Sequence, residues 1–287
     1  MESLLTLLSD FFVQPLEFEF MRRALIVSIM VGVVCAVFSC FLVVKGWSLM
    51  GDAVAHAVLP GLAIAYIAGL PLAIGAFAAG LLCAVATGYI KDNSRVKEDA
   101  VMGILFSGMF AFGLVLLTKI ETDIHLLHVL FGNVLGVSWD DIANIAIITF
   151  PLIAVMLIKW KDLMVYCFDP NHAQAAGLPV NILHYGLLIF LALTIVASLK
   201  AAGIILVIAM LIAPGAIGFM LANRFGRMLS IAISVSVGCS VLGTLASFHW
   251  DVATAPLIVL MQAGVFALAI LFSPRQGLLM NIRKQNA

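Results

Sequence analysis

The sequence predicts an all-α, polytopic membrane protein, a single domain over residues 1–287 with about 8–9 transmembrane helices. Three observations predict it. Hydrophobic residues fill 64% of the 287 positions and charged ones only 10%, where soluble domains carry about 25% charged residues. The apolar positions fall into runs near the length that a helix needs to cross a bilayer, about 20 residues. The loops between those runs are too short to hide a soluble domain.

Taken in order, the first segment, 2–20, mixes "LLTLL" with Asp10, Glu17 and Glu19 and suits an amphipathic helix lying on the membrane surface. Spans follow at 23–44, 49–68, 70–90, 99–118, 141–159, 181–199, 202–221, 228–248 and 254–272. The "APG" at 213–215 leaves open whether 202–221 crosses fully. The run 123–137 is too short to span and reads as an interfacial or re-entrant piece. Glycine and alanine, as in "AIGAFAAG" (73–80), let helix backbones approach closely.

Alternating the loops across the membrane puts eleven of the fifteen basic residues on one side, among them Lys45, Lys91, Arg95, Lys97, Arg224 and Arg227. Arg22, Arg23, Lys119 and Lys200 fall on the other. Basic residues mark the cytoplasmic side, so the N-terminus is expected outside and the C-terminus inside. The start of the chain has no basic region leading into an apolar core with an A-x-A site, so no cleaved signal peptide is expected. The even balance of 15 basic and 15 acidic residues gives no basic field for nucleic acid. Five scattered cysteines lack C-x-x-C spacing and read as small hydrophobes.

Residues 51–61, "GDAVAHAVLPG", place the chemistry. Asp52 is a carboxylate in or at the mouth of a span, where an ionised group must face a polar cavity or find a partner. His56 stands one turn on. At about 100° per residue, an i,i+4 pair shares one helix face. A carboxylate oxygen and an imidazole nitrogen there make half of a site for a borderline divalent cation. Spacing alone also allows a proton relay or a helix-gluing hydrogen bond. Two ligands are too few to hold an ion, and a second subunit with the same pair would supply four. "LPG" at 59–61 is expected to break the helix, and irregular backbone at membrane depth lines a cavity.

A second motif, "CFDPNHAQAAGLPV" (167–180), lies between spans on the cytoplasmic side. Asp169 is a good N-cap, Pro170 suits the first turn, and Gly177 with Pro179 makes a stop. The pattern gives a short capped helix outside the membrane, either a plain connector or a rigid piece offered to a groove in a partner. Ala173 and Ala176, three apart, are expected on one face against that partner. The sequence contains no G-x-x-x-x-G-K-[ST] phosphate loop, so ATP-driven transport would need a separate ATPase.

With these motifs in view, "VVKGWSLMGDAVAHAVLPG" (43–61), "GYIKDNSRVKEDAVMGILFSGMF" (88–110), "HVLFGNVLGVSWDDI" (128–142) and "FDPNHAQAAGLP" (168–179) together resemble the permease subunits of bacterial metal ABC importers, the ABC-3 family. The resemblance covers about residues 15–275 and is nearest to the manganese/iron (chelated-iron) branch. It implies an ABC importer transmembrane domain in the bacterial inner membrane, in contact with lipid. It also implies two cytoplasmic ATP-binding subunits, a second permease copy or paralogue, and an extracytoplasmic metal-binding protein. By the same resemblance Asp52 and His56 occupy metal-coordinating positions, and 168–178, with Asp169, Ala173, Ala176 and Gly177, matches the coupling helix. The match departs at Asn171 and His172, where many relatives carry an acidic and an aromatic residue.

The remaining polar residues carry weaker readings. His125 and His128 are surface residues or meet metal or the docking protein. His249 and Asp251 flank an external turn beside Trp250, an interface anchor. The loop 91–99 is a solvated connector or touches the ATPase. The methionines form no thioether ladder for copper.

The expected function is therefore that of a transporter subunit, not an enzyme, passing Mn²⁺ or Fe²⁺ with no bound cofactor. Oxygen and nitrogen ligands without thiolate suit these ions, although affinity rises toward Zn²⁺ on the same ligands, so a zinc permease is the near alternative. An ion-coupled secondary transporter with Asp52 as its protonation site is the alternative from another class. An intramembrane metalloprotease is disfavoured because the sequence has no H-E-x-x-H.

Overall fold

The computed structural model describes residues 11–119 and 132–272. Among the described residues there are helices and no strand, and nine helices are long and apolar enough to cross a membrane. Residues 11–17 are helical and bend at Phe18 into α1, Glu19–Lys45; the remainder of the expected surface helix, 1–10, lies outside the described residues. So does most of the 123–137 run, including His125 and His128; within its described end, Val134–Gly136 forms a single 3₁₀ turn.

The other spans are α2 (Met50–Ile67), α3 (Leu72–Asn93), α4 (Glu98–Lys119) and α5 (Trp139–Ile158). Two short helices follow, α6 (Trp160–Phe168) and α7 (Pro170–Ala175). The backbone is then helical from Val180 to Leu221 except at Gly203, whose φ of 73° and ψ of 166° divide it into α8 (180–202) and α9 (204–221). α10 (Phe225–Trp250) and α11 (Thr254–Phe272) complete the bundle.

α8 and α9 form a hairpin. A straight helix over that stretch would separate its ends by about 1.5 Å per residue, well beyond a bilayer. Yet Phe219 and Ala222, at the end of α9, line one cavity with Asp169 and His172, which immediately precede α8. Only a reversal at Gly203 brings both ends to the same side. At that turn Gly203 meets Gly132, where an added Cβ would run into the Gly203 nitrogen and the Ala202 carbonyl carbon.

α1 is the central column of the bundle. Met21, Phe38, Phe41 and Leu42 are all fully buried in it. Its C-terminus is closed by Gly46 in the left-handed region (φ 79°), whose N–H reaches the carbonyls of Leu42 and Val43. α5 starts on a capping box: Asp141 N–H donates to Ser138 Oγ at 3.2 Å, and Ser138 N–H donates to Asp141 Oδ2 at 3.2 Å. Trp139 Nε1 donates to Glu19 Oε1 at 2.9 Å and ties that start to the beginning of α1.

Two expected breaks do not break. α2 runs through Pro60 and Gly61, because Gly61 packs on Gly75 of α3 and an added Cβ at either would meet the other's carbonyl. Gly113 of α4 also meets Pro60, so α3 and α4 clamp the "LPG" in helical form. α9 likewise runs through Pro214. Ser39 Oγ of α1 donates to the Ile212 carbonyl at 3.0 Å and accepts from Gly215 N–H at 2.8 Å, bridging the ladder across the proline.

Gly75→Leu should therefore abolish folding: no monodisperse protein is expected on size exclusion in detergent. Gly103→Ala, at a helical position with open space, should instead be neutral or raise stability by up to about 1 kcal/mol in thermal unfolding.

Candidate metal path and coupling segment

Asp52 lies in the first turn of α2 and His56 one turn later, with His56 Nε2 3.2 Å from Asp52 Oδ1. α2 starts at the level of the middle of its neighbours. Cys83 Sγ, midway along α3, approaches the Ala53 carbonyl at 3.9 Å. An added Cβ on Gly51 would stand 3.1 Å from Leu211 Cδ1, midway along α9. Phe106 and Phe110 lie midway along α4; the His56 ring packs near-parallel to Phe106 at 5.9 Å and edge-on to Phe110 at 5.2 Å. Three separate neighbours thus set the pair at mid-depth.

The pair is not sealed. The His56 and Asp52 side chains are 26% and 30% exposed, while Ala53, Val54, Ala55, Ala57, Val58 and Leu59 around them are buried. One acidic oxygen donor and one imidazole therefore open from an apolar wall. Among the described residues no third His, Cys, Asp or Glu joins the pair into a three-ligand group. Cysteine adds no soft ligand: all five thiols are buried, and at Cys167, in α6, burial pushes the thiol up to about 12 while Lys45 pulls the other way. The aromatic walls Phe106 and Phe110 were not singled out in the sequence, although their i,i+4 spacing on α4 puts both on one face.

The 168–178 segment takes the expected capped form with a different exposed face. Asp169 caps α7, its Oδ1 accepting from Asn171 N–H at 2.9 Å and His172 N–H at 3.1 Å. Pro170 takes the first turn, and Gly177 (φ 78°) ends the helix with its N–H on the Gln174 carbonyl at 3.0 Å. Ala173 and Ala176 do not share an outer face. Ala173 is 0% exposed and belongs to the main core, because the short α7 must seat one side on α6 to be held at all. Ala176 is exposed, together with Asn171, His172, Gln174 and Ala175. His249 and Asp251 stand at the turn after α10. The His249 ring stacks on Phe11 at 4.7 Å and Asp251 takes a left-handed φ of 51°, so His249 fastens the 11–17 segment.

Glutamate at position 173 should unseat α7, so that A173E is cut within 168–178 by added protease. A176E should remain as resistant as the parent.

Comparison with known proteins agrees with this architecture. The ABC 3 transport family model matches residues 17–273. The chain is 59% identical over 273 residues to the Chelated iron transport system membrane protein YfeD of Yersinia pestis, covering 95% of this chain and 91% of the relative. It is 52% identical over 267 residues to the Manganese transport system membrane protein MntB of Synechocystis sp., covering 93% and 87%. Among solved structures it is similar to a chain of PsaBC from Streptococcus pneumoniae in complex with Fab. There the TM-score is 0.84 at 37% identity, covering 94% of this chain and 97% of that one. An inward-facing putative metal-chelate type ABC transporter shares the fold, with a TM-score of 0.70 at 15% identity over 86% of this chain and 84% of that one. A family match over nearly the whole length, on a bundle of nine apolar helices among the described residues, means that this chain belongs to the ABC 3 transport family.

Proposed function

We propose that this chain is the membrane-spanning permease subunit of an ATP-driven importer of Mn²⁺ or Fe²⁺ in the bacterial inner membrane. The observation that carries the reading is the Asp52–His56 pair, 3.2 Å apart at mid-depth and partly open from an apolar wall. A carboxylate and an imidazole placed there at the cost of desolvation fit a path for a divalent cation. The relatives named for chelated iron and for manganese support the same class of cargo.

The pair is half of a site. Mn²⁺ and Fe²⁺ need more donors than two side chains give, and a second permease, a copy or a paralogue, would complete the shell by presenting its own pair across the interface. Partial coordination suits a transporter, since an ion held by few ligands can leave as easily as it enters. The chain carries no phosphate-binding loop, so two separate cytoplasmic subunits would hydrolyse ATP and press on 168–178 through the exposed side of α7. An extracytoplasmic binding protein would deliver the metal and choose it.

The test is uptake of radioactive Mn²⁺ in cells carrying Asp52→Ala or His56→Ala. Loss of a mere outer-shell partner of a metal ligand already costs about 10–100-fold, so accumulation should fall at least about tenfold with the protein still inserted. Parental accumulation in either strain would remove the pair from the path.

A further inference from the structure

One side-chain cluster outside the metal path joins four parts of the chain. Tyr166 of α6 is 2% exposed, and its hydroxyl bonds His184 Nδ1 of α8 at 2.7 Å. Lys45, the last residue of α1, sets its ammonium 4.1 Å from the Tyr166 ring centre and 5.7 Å from that of Trp47. Trp47, also 2% exposed, meets the His184 ring edge-on at 5.4 Å. On the remaining side α3 closes in: a Cβ on Gly88 would stand 3.3 Å from His184 Nε2.

Position along the chain gives this cluster its meaning. Tyr166 precedes the α7 cap, Asp169, by less than one turn. Trp47 lies in the short connector Gly46–Leu49 that leads into α2 and to Asp52. The coupling segment and the metal-site helix are thus each a few residues from the same buried knot, and neither needs a long lever to reach it. The Trp47 indole Nε1–H is buried without a hydrogen-bond partner among the described residues.

We infer that Lys45, Trp47, Tyr166 and His184 form the transmission joint that carries movement of the 168–178 segment to the Asp52–His56 helix. The joint rests on the permease reading given above. α7 and α6 move together, since Ala173 is seated in the core and the Asp169 cap fixes the start of α7. The Tyr166–His184 hydrogen bond and the Lys45 contact pass that displacement to α8 and to the end of α1. Trp47, wedged between Lys45 and His184, then shifts the start of α2, and with it the spacing of the two half-sites. These residues position the site and do not touch the ion.

The readout is metal moved per ATP hydrolysed, measured with Mn²⁺ in proteoliposomes holding the permeases, the ATP-binding subunits and the loaded binding protein. Tyr166→Phe keeps the packing and removes the hydroxyl. It should leave ATP hydrolysis and Mn²⁺ binding in place while the transport ratio falls at least about five-fold, the lower end of a coupling between distant sites. Trp47→Ala should do the same, and Trp47→Phe, which keeps an edge against His184, should restore most of the ratio. A Y166F protein that loses hydrolysis and transport in parallel, with the ratio unchanged, would make the cluster structural only and overturn the joint. Should these variants fail to insert, a W139F/W160F/W250F protein leaves Trp47 as the single tryptophan. Its emission should shift when vanadate traps the nucleotide-bound complex, and unchanged emission would overturn the joint. Parental complex that hydrolyses ATP without moving Mn²⁺ would instead refute the permease reading, a separate outcome.

Discussion

A backbone amide inside a bilayer has no water to fall back on, so each break in a helix ladder must be repaired by another part of the protein. That constraint shapes this bundle at Pro60 and Pro214, two of the prolines inside its described spanning helices. At Pro214 the repair is a hydroxyl: Ser39, from the central helix, donates to the Ile212 carbonyl and accepts from the Gly215 amide. Around Pro60 close packing, with Gly61 against Gly75 and Gly113 against Pro60, holds the backbone helical. Both devices depend on neighbours being present and close, so these spans are helical because the bundle is assembled.

The same close approach positions the chemistry. Because α2 has glycine where it meets α3, its backbone sits against α3 and its first turn enters at the middle of α3, α4 and α9. A carboxylate on that first turn and an imidazole one turn later therefore stand at mid-depth, where their cost is highest. Their walls are aromatic and aliphatic.

Helix α7 is too short to be stable alone. It is held by the Asp169 cap, the Gly177 turn and the burial of Ala173. These make the segment a rigid body with only its outer residues free for a partner. Next to it lies the aromatic and basic knot around Tyr166, which joins that rigid body to the connector before α2.

Sequence by itself determined the class, the spans, the capped form of α7 and the choice of Asp52 and His56. These follow from local causes: run length, charge, i,i+4 spacing and cap chemistry act within a turn or two of the residue concerned. Tertiary structure alone decided the rest. "LPG" and "APG" read as breaks because proline and glycine are breakers locally, and only the facing helices make them continuous. Ala173 and Ala176 read as one face because three-residue spacing suggests it, and only the seat on α6 separates a buried residue from an exposed one. The Lys45–Trp47–Tyr166–His184 knot had no local signature, since its members come from three separate stretches of chain. Their meeting depends on where α1, α6 and α8 end in space, a property of the packed bundle that no window of sequence contains.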